Sequence, residues 1–158
     1  MSYTAIDLLE KIIGVTGKKK EICKISIEGE KKELSMYMIN NIFIKNLDKS
    51  IQHYNDLKEE IKNSSLEDID FVIYDKISFL IDDFNRKQII TESTDVKSIV
   101  ECCLNLQKGT LALYIDIQGR LIKNEDDVKT KTYKIIEDMI SEKEKYIKDL
   151  EDFCNKYC

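Results

Sequence analysis

Four long stripes of apolar residues recur at three- and four-residue spacing in a chain that contains no proline. That spacing places side chains along one face of an α-helix, and a stripe of this kind is buried only by packing against other helices. Proline would interrupt such helices by removing a backbone donor and clashing with the preceding turn. The pattern therefore predicts an all-α protein: an antiparallel up-down four-helix bundle with an extra N-terminal helix or hairpin. At 158 residues and no linker-like stretch, residues 1–158 read as one helical-bundle domain.

The final stripe is the clearest, running through Val128, Ile135, Met139, Tyr146, Leu150, Phe153 and Tyr157 behind an N-cap at Asn124. The stripe before it carries Ile99, Cys103, Leu106, Thr110, Leu113, Ile117 and Leu121, with Thr94 as the cap. A third opens at Ser65 and Asp68 in capping-box spacing and continues through Leu66, Ile69, Ile73, Ile77, Leu80 and Phe84. The second runs through Ile39, Phe43, Leu47, Ile51, Tyr54, Leu57 and Ile61. Asn63-Ser64 is a sharp connection and predicts that the second and third helices are antiparallel neighbours. Before these stripes, Leu9, Ile12, Thr16 and Cys23 suit a helix despite Gly14 and Gly17. Cys23, Ile25 and Ile27, and later Leu34, Met36 and Met38, alternate as a hairpin would. Helix is the reading taken, with the hairpin as its alternative.

Charge narrows the function classes. A net charge of −5 without a basic stripe disfavours nucleic acid, whose phosphates are held by neutralising cations. Lys18, Lys19 and Lys20, like Lys31 and Lys32, read as short solvated clusters. No apolar run approaches the ~20 residues that span a bilayer, so no membrane role is expected. The opening residues lack signal-peptide character, which predicts a cytoplasmic protein whose five cysteines are thiols. Abundant Lys, Ile and Asn suggest a bacterial source.

Chemistry-bearing motifs are incomplete. Gly14-Val15-Thr16-Gly17-Lys18-Lys19 has too few residues between its glycines for a phosphate loop and no hydroxyl after Lys18. His53, the one histidine, reads as a residue at the edge of the core. Cys154 and Cys158 share a helix face and could offer two soft-metal ligands, but frayed-end thiols are the plainer reading. Cys103 reads as core and Cys102 as its flank, both a turn or two inside a helix with no proline or tryptophan of a redox motif nearby. Asp116, interrupting Tyr114-Ile115 and Ile117, is the carboxylate expected to be partly buried. No acid–base pair stands out.

Residues 99–121, IVECCLNLQKGTLALYIDIQGRL, resemble the third helix of rubrerythrin-type ferritin-like proteins, and residues 139–153, MISEKEKYIKDLEDF, the fourth. In this resemblance Gln107 stands at a metal-binding Glu position, Glu144 matches a ligand Glu, and Ile147 replaces its paired histidine. It covers about 40 residues and implies a ferritin-like bundle whose iron chemistry is lost, with Gln107, Glu144 and His53 as remnant candidates. A Glu144 at the core edge, paired with Lys148, is the bland alternative.

The expectation is accordingly a non-enzymatic protein with no cofactor and no small-molecule substrate, acting as a homodimer or on a protein partner. Apolar residues off the main stripes motivate it: Tyr37, Met38, Ile44, Phe71, Phe79, Ile115 and Tyr133. The alternative is a ferritin-like metal-binding protein with a degenerate or absent di-iron site.

Overall fold

The structure, a computed structural model, describes residues 2–27, 34–88 and 95–157. They form α1 (Ala5–Ile27), α2 (Leu34–Ile61), α3 (Phe71–Lys87), α4 (Val96–Arg120) and α5 (Lys131–Tyr157), with a 3₁₀ turn over Glu125–Lys129 before α5. Among the described residues the only extended pairing is an isolated bridge between Tyr3 and Ile69. The all-helical expectation holds, and residues 5–27 are helix rather than hairpin.

Helix starts follow local chemistry. Asp70 accepts from the backbone N–H groups of Val72 and Ile73, so α3 begins at Phe71 and not at Ser65. Asp95 accepts from the Ser98 N–H at 2.7 Å and caps α4. The expected cap at Thr94 falls outside the described residues. Asn124 and Asp127 do form a reciprocal capping box, but it closes the 3₁₀ turn, leaving Val128 exposed rather than on the α5 seam.

Side-chain contacts fix the helix directions. Asn40, early in α2, donates to the Cys23 carbonyl near the end of α1, while Lys58 pairs with Glu10 at the other end. α1 and α2 are therefore antiparallel. Lys108–Glu151 and Gln118–Glu137 make α4 and α5 antiparallel in the same way. Tyr54 meets Tyr114, and Phe43 and Leu47 meet Cys103, so α2 and α4 run parallel. The expected packing of the second helix on the third is not a principal contact: α3 packs on α1 and α4. Its Phe84 ring reaches Gly109, where a Cβ would lie 3.4 Å from Cε2.

The core has two apolar halves. One gathers Leu8, Leu9, Ile12 and Val15 with Ile77, Ile81, Leu113, Ile117, Ile136 and Met139. The other gathers Cys23, Met36, Phe43 and Leu47 with Ile99, Val100, Cys103 and Leu150. Between them every one of α1, α2, α4 and α5 contributes buried polar residues: Thr16 and Lys19, Ser50, Gln107 and Thr110, and Lys143. The core is thus interrupted by a polar layer midway along its length.

Candidate functional site

The polar layer arises from helix register. On α1 the buried stripe passes through Ile12, Thr16, Lys19 and Cys23, and on α5 through Met139, Lys143, Ile147 and Leu150. Each lysine therefore occupies a position where an apolar residue would serve. Lys19 Nζ donates to Thr110 Oγ1 at 2.8 Å, and that hydroxyl donates onward to the Leu106 carbonyl at 2.8 Å. Thr16 Oγ1 returns its proton to the Ile12 carbonyl at 3.0 Å. Burial pushes the Lys19 amine well below its ordinary value, and nearby Lys143 adds to this. Burial brings Lys143 down to about 8, with Glu142 opposing the shift.

Neighbouring groups complete the layer. The hydroxyls of Tyr54 and Tyr114 lie 2.9 Å apart, joining α2 to α4. Burial raises both phenols, Tyr54 to about 12. The hydrogen bond between the Cys103 and Cys23 thiols lowers the pKa of Cys23 and raises that of Cys103. The Gln107 side-chain oxygen is buried without a partner among the described residues. It borders a cavity of about 10 Å³ shared with Lys19, Cys23 and Cys103, and a second of about 30 Å³ lies between Ser50, Tyr54, Glu142 and Lys143. Such volumes suit a single water rather than an organic substrate.

A second cluster lies at the solvent edge between α2 and α5. His53 Nε2 stands 3.0 Å from Asp138 Oδ2 and 2.8 Å from Glu142 Oε2. The two carboxylates are one helical turn apart on α5, which aims both at the same point on α2. The side chains of all three are part-exposed.

The residues singled out from sequence are dispersed. Gln107 is in the buried layer, His53 in the edge cluster, and Glu144 on the exposed face of α5, where its neighbour Lys143 turns inward. The three do not converge. Gly14 to Lys19 lies wholly inside α1, which has no loop for a phosphate. Of the lysine cluster read as solvated, Lys18 reaches the Asn85 carbonyl, Lys20 pairs with Asp48 at 2.6 Å, and Lys19 is interior. Asp116 is exposed beside Arg120 rather than partly buried. Cys103 is core and Cys102 half-buried, as read, while Cys158 lies outside the described residues. Asp138 and Glu142 were missed. Their signal was an i,i+4 carboxylate pair flanking a core stripe.

Five of the seven apolar residues read as lying off the seams are exposed: Tyr37, Met38, Phe71, Phe79 and Ile115. Ile44 and Tyr133 are half-buried. Leu34, Met38 and Ile42 line up at i,i+4 along one face of α2, at 74%, 59% and 59% exposure, with Tyr37 beside them. No described helix is long and apolar enough to cross a membrane. Comparison with protein-family models, curated proteins and solved structures finds no match to this chain.

Proposed function

We propose that this is a non-enzymatic helical protein that works by self-association through the first half of α2. The observation that carries this reading is the Leu34–Met38–Ile42 stripe, whose helix buries Met36, Asn40, Phe43 and Leu47 on its opposite side. An amphipathic helix has one face for the core. A second apolar face is a contact surface when it is contiguous. A second copy suits it because the stripe is a straight row along one helix. Two such rows related by a two-fold axis bury each other with no other partner shape required. A stable dimer buries about 800 Å² on each copy, more than the stripe alone, so the polar flanks of α2 join the contact.

Sedimentation and light scattering of the full chain test this. The expected species is a dimer that becomes monomeric, with unchanged helix content, in a Met38→Glu/Ile42→Glu variant. A wild-type monomer at concentrations of order 100 μM would sink the proposal.

One observation favours a second reading, a degenerate ferritin-like bundle. α1 antiparallel to α2, α4 antiparallel to α5, and α2 parallel to α4 is the order such a bundle takes when a long crossover, here containing α3, joins its halves. The donors at its centre do not fit a di-iron site. Buried Lys19 and Lys143 supply amines, and Gln107 an amide, where that site needs carboxylates and imidazoles. In this reading the lysines are the successors of the metal, and no iron chemistry is assigned. Iron retained at one equivalent after purification, and released by Gln107→Ala, would contradict the degenerate assignment.

A further inference from the structure

We propose that His53, Asp138 and Glu142 form a binding site for a divalent transition-metal cation, with zinc as the best match. The site borders the buried layer through Glu142 and rests on neither reading above.

The argument begins with donor chemistry. One imidazole and two carboxylates are three of the groups that zinc takes, and three protein ligands leave the fourth tetrahedral position to water. The ligand atoms of the trio all lie within 4.8 Å of one another. Zinc bonds of about 2.0–2.1 Å require ligand atoms about 3.3–3.4 Å apart in a tetrahedron. The Nε2 contacts at 3.0 and 2.8 Å are a few tenths of an ångström short of that. Because all three side chains are part-exposed, small torsional changes open the trio to the required size without disturbing the core.

The present contacts also leave the trio unbalanced. Nε2 carries at most one proton, which two carboxylates must share. A cation at the common focus takes a lone pair from each ligand at once and offsets the two carboxylate charges. Magnesium and calcium, which favour all-oxygen sets, gain little from the imidazole. The ligands sit on two helices, His53 on α2 and both carboxylates on α5.

Titration calorimetry with zinc chloride on the chelator-treated full chain tests this, alongside NMR of the imidazole nitrogens. His53 is the sole histidine, so that NMR signal is unambiguous. The expected result is one equivalent of zinc, a shifted Nε2 resonance, and at least about tenfold weaker binding in His53→Ala. An Asp138→Asn/Glu142→Gln variant, altered only at exposed positions, should lose binding likewise and guards against a folding defect in His53→Ala. Imidazole signals unmoved by excess zinc would show a simple ion triad and overturn the site. So would affinity that survives both variants but disappears in Cys154→Ser/Cys158→Ser.

Discussion

At the scale of single residues, the decisive features are two lysines at positions where the helix stripe calls for apolar side chains. Lys143 has an amine lowered from 10.5 to about 8 by burial. A difference of that size corresponds to roughly 3 kcal/mol of lost stability when the group must be charged. The sign follows from proton uptake. Between pH 8 and 10.5 the unfolded chain holds more protons at this lysine than the folded one. Stability therefore rises with pH across that window, and the penalty is fully present below about 8. Lys143→Met should accordingly raise stability at pH 7 by up to about 3 kcal/mol. The gap between variant and wild type should close as pH climbs toward 10.5, as urea unfolding at several pH values would read. A variant less stable than wild type at pH 7 would show that the amine is compensated inside the layer.

At the scale of helices, periodicity was legible and identity was not. The second stripe was read through Ile39 and Ile51, whereas the buried row is Met36, Asn40, Phe43, Leu47, Ser50 and Tyr54, a strict alternation of four and three. A reading that follows only apolar residues slides off the true face wherever a polar residue is buried. That happened at Asn40, Ser50, Lys19 and Lys143, and for Asn40 and Lys19 the burial goes with a partner on another helix. Cys23, whose carbonyl receives Asn40, and Thr110, which receives Lys19, are 17 and 91 residues distant in sequence. The caps at Asp70 and Asp95 were missed because Ser65 and Thr94 offered equally good side chains nearby. The early glycines were correctly read as tolerated within a helix. Gly14 faces solvent, and nothing lies within 4 Å of where its Cβ would be. Gly14→Ala should thus stabilise the protein by roughly 0.5–1 kcal/mol, seen as a higher melting temperature.

At the scale of the whole molecule, the helical class was visible in the stripes, but the place of α3 was not. A short connection after Asn63-Ser64 suggested simple adjacency, yet residues 62–70 carry the chain to a helix that packs on α1 and α4. The candidate metal cluster was illegible for a related reason, since its histidine and the nearer of its carboxylates, Asp138, are 85 residues apart. Self-association is the property that a single chain's core cannot express. If α2 is the contact, the melting temperature should rise with protein concentration, because association stabilises only the folded chain. The Met38→Glu/Ile42→Glu variant should remove that dependence. The polar layer bears on specificity as well: the Lys19–Thr110 and Tyr54–Tyr114 pairs meet only in one register, so sliding α1 or α2 by a turn would strand buried donors.

The burial of Lys19 also makes it a clock. An amine with no accessible surface cannot be acylated while the helices stay closed, whereas lysines such as Lys62 and Lys129 react freely at the surface. The rate at which Lys19 takes up an amine-reactive label would therefore time the opening of the layer itself, one event among many exposed amines, readable at a single peptide.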